Sequence, residues 1–430
     1  MKKFFALLLL AVCVSVVALR ANDSMYYTSG TQLVPLQATD ISLQKEVLTI
    51  NILPDGTASI DVQYVLYNPG AKRTITMGFE ADPPYMGEGY RADGIHPYVN
   101  DFSVEINGNK TPFRNAVVRL GCIEQEQKIQ AFNTQQWTTN FPNNDEGYDM
   151  QSVLYNAELD SAADYAYAYY FEATFLPGRN TIHHTYRYQM DDSVDSHYGI
   201  NYKLTPALRW ANKQIDDFTL IISGGNSVRM FFLNNSAFGS PNPSFSIAGT
   251  GLQRTFDRPD YDYEEGEAKE TGRVYYTAFS LRGGTVTFHQ TNFQPAAELH
   301  IQSADAYEMV HNEVEYDGTE QKWRDNNALL VANYYDSDYG CKSLFALGGV
   351  EDTLTDRFNF FLPDGDYIDA DRILRNMPFA ARGYVFKNKD LQSFFSHCWW
   401  YMPDPSYVAD FDKLNPKERE FIKEVDKSKH

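Results

Sequence analysis

Cysteine is scarce in this chain, and long apolar runs are scarcer. Four cysteines occur in 430 residues, and Cys13 falls inside a leader, so Cys122, Cys341 and Cys398 are left for the body of the protein. Three widely spaced cysteines allow at most one internal disulfide and supply no close pair of the kind that ligates zinc. Buried free thiols and a Cys341–Cys398 bond both stay open. Beyond the leader no apolar stretch approaches the roughly 17–25 residues that span a bilayer as a helix. Basic residues are short as well: 37 Lys and Arg stand against 57 Asp and Glu, a formal charge of −20. That excess repels phosphate backbones and anionic headgroups, which argues against nucleic acid as a partner.

Catalytic signatures are missing too. The chain has no Gly-rich phosphate loop and no G-x-G-x-x-G after a strand, so nucleotide chemistry loses its usual support. It also lacks a G-x-S-x-G elbow and an H-E-x-x-H helix. No cofactor is expected. A glycoside hydrolase would need two facing carboxyl groups, but among 57 acidic residues some pair always looks suitable, so that abundance carries no information.

What is present starts with export. Lys2 and Lys3 precede an apolar core, Phe4 to Leu19, and Ala21 follows as a cleavage site: the layout of a secretory signal. The expectation is a signal peptide over residues 1–21 and a mature protein in the periplasm or medium. The alternative is a lipid anchor through Cys13, whose Leu10-Ala11-Val12-Cys13 lead-in resembles a lipobox with Val12 in the small-residue position. Aromatic residues make up 15% of the chain, with 30 Tyr and 28 Phe. That is too rich for a disordered polyelectrolyte, so the body is globular, with length for two or three domains.

From Ile41 the grammar is that of strands. Val47 to Ile52 and Ala58 to Leu66 alternate on either side of Pro54-Asp55-Gly56, which predicts a hairpin. Phe102, Val104 and Ile106 run into Asn107-Gly108, and Tyr169 to Phe175 are followed by Pro177-Gly178 and then Ile182 to Tyr188. Further strands are expected at 218–222, 228–233, 274–281 and 285–291. The fold class that follows is mainly β with a smaller α C-terminal part: an antiparallel β-sandwich region over 22–200, and a second β region over 201–295. Two polar segments interrupt it. Residues 133–152 read as a long loop or lid. The carboxylates between Asp257 and Glu270 read as a solvated acidic loop, with a weak calcium site as the alternative.

After Pro295 the period lengthens, and no Pro occurs before Pro363, so 296–365 is expected to be a helical connector broken near Asp336–Gly340. His183 and His184 are adjacent on a strand and must point to opposite faces, so they cannot clamp one ion. His311, Glu313 and Glu315 offer only weak metal geometry. Asp364-Gly365-Asp366, with Asp369 and Asp371, begins like a calcium loop but lacks the later ligands, and a turn followed by a helix start explains it.

The last module, 366–430, reads as helical. Ile373, Leu374, Met377 and Ala381 share a face, with Pro378 expected to kink it. Asn415-Pro416-Lys417-Glu418 is a helix start with an N-cap, a first-turn Pro and an acidic third position. Phe394, Phe395, Trp399, Trp400 and Tyr401 between them form either a small core or, in part, an exposed stacking platform.

This stretch resembles the YARHG domain, a bacterial module named after a five-residue motif. The similar residues are Leu374-Arg375-Asn376, Phe379 to Phe386, Leu391-Gln392 and Trp400-Tyr401-Met402-Pro403. Ala380 and Gly383 keep the motif, whereas Phe379, Ala381 and Arg382 replace its Tyr, Arg and His. The resemblance implies an extracellular module attached to the envelope or cell wall. The β region also resembles an uncharacterised family of bacterial envelope β-domains at Tyr67-Asn68-Pro69-Gly70, at Phe175 to Ile182 and at Tyr202, Leu204 and Trp210. The expected function is therefore an exported, non-enzymatic envelope protein with a binding or structural role, and the alternative is a secreted hydrolase of glycan or peptide. Expected partners are cell-wall glycan, peptidoglycan or an envelope protein. Candidate binding residues are Phe379, Arg382, Tyr384, Trp399, Trp400 and Tyr401.

Overall fold

The computed structural model describes residues 30–31, 33–36, 39–81, 93–119, 129, 131, 165–190, 198–264, 267–303, 332, 335–338, 360–362 and 365–427. The strands are β1 (Gly30–Thr31), β2 (Val34–Pro35), β3 (Ser42–Ile52), β4 (Thr57–Asn68), β5 (Arg73–Ala81), β6 (Val99–Ile106), β7 (Asn109–Lys110), β8 (Arg114–Arg119) and β9 (Tyr165–Phe175). They continue with β10 (Gly178–Gln189), β11 (Gly199–Lys203), β12 (Ile215–Ser223), β13 (Val228–Asn234), β14 (Phe245–Glu264), β15 (Glu267–Phe293), β16 (Leu299–Ser303), β17 (Phe360–Phe361) and β18 (Tyr367–Ile368). Three helices close the chain: α1 (Ala370–Ala380), α2 (Lys389–His397) and α3 (Pro416–Lys427). The leader with Cys13 and Ala21, the 133–152 loop, Cys122, Cys341, the His311 group and Asp364 lie outside the described residues.

The β3–β4 hairpin forms as its pattern predicts. Leu48, Ile50, Ile60, Val62 and Leu66 are fully buried, and Gly56 turns at φ 86°. Asn107 and Gly108, both at positive φ, make the β6–β7 turn. Pro177-Gly178 behaves differently. β9 pairs with β5 in a four-stranded sheet ordered β2-β5-β9-β8, while β10 pairs with β4 and β6 in a twelve-stranded sheet. The chain thus crosses between sheets there, and Asn68-Pro69-Gly70 makes the matching crossing from β4 to β5. Asn68 ties the two crossings together by donating to the Leu176 carbonyl at 3.3 Å. The sheets pack face to face, with the Phe79 ring 5.8 Å from that of Tyr186.

The large sheet is mixed, because β3 pairs β12 in parallel and β1 pairs β11 in parallel. Strands from before and after residue 200 therefore share one sheet. It also bends on itself. β12 and β13 lie end to end along one edge of β15, with Ser223 opposite Thr285 and Val228 opposite Arg282. At that break stand Gly283 and Gly284, and the register of β14 slips between Gly249 and Gly251. Gly284 has φ 113° and Gly249 φ 112°, and a Cβ on Gly249 would fall 2.7 Å from the Gly283 carbonyl oxygen. Only glycine permits this corner. The bend brings β11 over β4, so that the Tyr64 and Tyr202 hydroxyls meet at 3.5 Å.

Two cores result. Phe231 and Leu233 of β13 face the core between the sheets, whereas Val228, Met230 and Phe232 face a second core shared with the C-terminal helices. Every residue of β13 is buried. The acidic segment is not a loop: Asp257 to Glu264 pair with Glu267 to Tyr275 as the outer end of the β14–β15 ribbon. The sequence hides this because charged residues dominate 257–270, so no apolar alternation appears. β16 is likewise a strand inside the expected helical connector, with Leu299 and Ile301 buried. Its five residues are too few to display a period.

Candidate functional site

The outer face of the bent sheet carries the polar half of every alternating strand. His289, Thr219, Val47, Gln63, His183 and Glu105 are successive cross-strand neighbours from β15 to β6. Along this row lies a groove of about 450 Å³, within the range of small-molecule sites. Val47 and Val65 contribute apolar surface, and Lys45, Arg179, Glu105 and His183 contribute charge or polarity, with Gln63 and Thr181 between them. The β6–β7 turn closes one side, held by Asn107 Oδ1 accepting from the Thr181 amide at 2.8 Å.

Most of the charges are already matched. Lys45 Nζ lies 2.7 Å from Asp217 Oδ2, and His289 Nε2 lies 2.8 Å from Asp217 Oδ1. The hydrogen bond from Lys45, aided by His289, holds the Asp217 carboxyl below the usual carboxylate range. His183 Nε2 lies 2.9 Å from Asp61 Oδ2. Arg179 and Glu105 are different: neither makes a side-chain hydrogen bond or ion pair among the described residues.

The inner face of the same strands holds a buried polar cluster. His184 is fully buried, stacks on Tyr64 with ring centroids 5.7 Å apart, and burial lowers its pKa to about 3. Its Nδ1 has no hydrogen-bond partner among the described residues, and its Nε2 is 3.4 Å from the Tyr64 hydroxyl. Burial also pushes the Tyr64 and Tyr202 phenols up. His183 and His184 thus take opposite faces, as their adjacency requires. The first sits in the groove, and the second is a neutral core residue.

The residues singled out in the tail lie at a seam with the sheet. Trp400 is buried and donates its indole N–H to the Ala332 carbonyl at 2.6 Å. Tyr401 is buried and donates to the Tyr384 carbonyl at 2.7 Å. Phe379, Tyr384 and Trp399 are partly buried against the same core, so the aromatic cluster serves mainly as a core. Arg382, standing where the motif has His, forms a forked pair with Glu418 at 2.7 and 2.8 Å. Glu418 also accepts from the Asn415 amide at 3.0 Å, while Asn415 Oδ1 accepts from the Glu418 amide at 2.9 Å. The expected helix start is therefore a complete capping box. Tyr335 donates a further bond to Glu418 at 2.7 Å.

Gly383 explains why the motif ends in glycine. It has φ 87°, and a Cβ there would collide with the Met402 carbonyl and the Arg282 guanidinium. Arg282 of β15 donates to the Arg382 carbonyl at 2.6 Å, so the motif is where the module touches the sheet. Beneath it, buried Arg229 of β13 pairs with Asp336 at 3.3 Å and Asp338 at 2.8 Å. Asn415 bonds Asp338 at 3.1 Å. Among the described residues no three His, Cys, Asp or Glu groups are placed to hold a metal ion, and no helix is long and apolar enough to cross a membrane.

Sequence reasoning missed the groove. Alternation marks Lys45, Gln63, Glu105 and Arg179 as outward, but their convergence depends on register between strands up to 136 positions apart, as in the Lys45–Val65–Thr181 row. Arg179 stood in view only as part of a turn.

Residues 368–430 match the YARHG domain family, so the chain ends in a YARHG domain. No curated protein matches the chain in sequence. Among solved structures, a proposed nutrient-binding protein of Legionella pneumophila shares 17% identity, covers 95% of this chain and 100% of its own, and superposes with a TM-score of 0.44. An M1 zinc metallopeptidase of Deinococcus radiodurans shares 10% identity over 63% of this chain and 43% of its own, with a TM-score of 0.25. Baculovirus P35 shares 6% identity over 63% of this chain and 98% of its own, with a TM-score of 0.24. None of these overlaps is close enough to transfer a function.

Proposed function

We propose that this is an exported, non-enzymatic protein of the bacterial cell envelope that takes a small polar ligand on the open face of its large sheet. The observation that carries this reading is the groove, where Arg179 and Glu105 remain uncommitted among the described residues while Lys45 and His183 of the same lining are matched. Export rests on the leader, with its Lys2-Lys3 start, apolar core and Ala21.

In this reading the YARHG domain is a brace with one free side. Its core is shared with β13 and the β14–β15 ribbon, which leaves Val385, Val408 and Phe411 exposed for contact with the envelope or cell wall. Removing the whole domain would strip Met230 and Phe232 of cover, so truncation cannot separate attachment from folding. The test is therefore made on the full mature chain. Isolated cell-wall sacculi and their soluble fragments are offered to the wild type, to Arg179→Ala with Glu105→Gln, and to Val408→Ser with Phe411→Ser. The reading expects the groove variant to lose soluble fragments and the tail variant to lose sacculi. Unchanged binding by the groove variant would remove the groove from the function.

A further inference from the structure

We infer that the groove selects a zwitterion: an ammonium and a carboxylate on a small aliphatic body, as in a free amino acid or the end of a short cell-wall peptide. This rests on the binding role proposed above for the same face. Lys45 is satisfied by Asp217 and His183 by Asp61, at 2.7 and 2.9 Å, which leaves Arg179 and Glu105 as the uncommitted cation and anion of the groove lining. The planar fork of Arg179 suits a carboxylate bidentately. Glu105 suits an ammonium, and Lys110, its cross-strand neighbour on β7, makes no ion pair with it among the described residues.

The spacing fits. Arg179 stands four residues along β10 from His183, which lies directly opposite Glu105. The two backbones are therefore about 14 Å apart, at roughly 3.3 Å per residue along β10 and about 4.8 Å between strands. Two long side chains leaning inward leave a gap of a few Å to be bridged by a ligand charged at both ends. Val47 and Val65 would lie beneath its aliphatic part, and Gln63 and Thr181 offer hydrogen bonds along its length.

Other ligand classes fit less well. A polyanion would meet Glu105 and the negative field of a chain of charge −20. A neutral sugar would cover both charges without pairing them, which is unfavourable.

Isothermal titration of the mature protein tests this with L-alanine, the dipeptides L-Ala-L-Ala and D-Ala-D-Ala, N-acetylalanine, alaninamide and N-acetylglucosamine. The free or dipeptide zwitterions should bind, and blocking either end should weaken binding by about tenfold or more, the size of one charge-assisted bond. Arg179→Ala should erase the preference over alaninamide, and Glu105→Gln the preference over N-acetylalanine. Both are surface positions, and an unchanged thermal midpoint confirms that each variant is folded. Preference between L-alanine and the dipeptides separates a free amino acid from a wall peptide as the source. Binding of N-acetylglucosamine that depends on Arg179 would overturn the zwitterion while leaving the groove a binding site. Binding of none of these compounds, with no groove-dependent binding of wall fragments, would overturn both.

Discussion

Lowering the pH from 7 to 5 should cost the wild-type fold about 2 kcal/mol more than it costs a His184→Phe variant. His184 is 0% exposed, and burial lowers its pKa from 6.5 to about 3, so it is neutral in the folded state across this range. In the unfolded chain it titrates near 6.5. The unfolded state therefore binds the extra proton as pH falls, and stability is lost from about pH 6.5 downward at up to about 1.4 kcal/mol per unit. The loss ends only when the folded histidine itself protonates, near pH 3. Phenylalanine keeps a ring against Tyr64 and removes the titration. Urea unfolding of both proteins at pH 7 and pH 5, followed by far-UV circular dichroism, gives the double difference. Every other titrating group contributes equally to the two proteins. Equal losses would show that His184 is charged or solvated in the fold, and its burial as a neutral core residue would be wrong.

Three further outcomes follow from the seam and the core. Gly383→Ala should destabilise by about 3 kcal/mol, because a left-handed backbone and a collision with the Met402 carbonyl act together; equilibrium unfolding measures it. Glu418→Ala should cost about 3–5 kcal/mol, since it strands the partly buried Arg382 and opens the α3 capping box. Glu418→Gln, which keeps the shape, should cost less in the same assay. Cys398 is a free, buried thiol whose pKa burial pushes up, so a thiol reagent followed by peptide mapping should leave it unmodified until denaturant is added.

The parts of the fold that were legible from sequence were local. Alternation with a turn dipeptide located β3–β4 and β6–β7, adjacency settled the faces of His183 and His184, and Asn415 to Glu418 announced their helix start. Turn chemistry says that a chain reverses, but not which partner it meets. Hence Pro177-Gly178 reads as a turn between two strands, although β9 and β10 belong to different sheets. The parallel β3–β12 pair, the glycine corner and the Arg229–Asp336 contact join segments more than a hundred residues apart or depend on register, and nothing local encodes them. The tail aromatics were placed in the right module, but only the structure shows that the other half of their core is the β13 strand. The groove stayed hidden for the same reason, because an outward residue becomes a site only when its neighbours across the sheet are known.

The account's central claim is that ligand is taken on the open sheet face while the YARHG domain stays docked. Hydrogen-exchange footprinting of the full mature chain, with and without soluble wall fragments, tests it most directly. Protection should appear at residues 63–65, 105–108 and 179–183, with α1 to α3 unchanged. Protection confined to residues 385–411, with the groove strands unaffected, would contradict it.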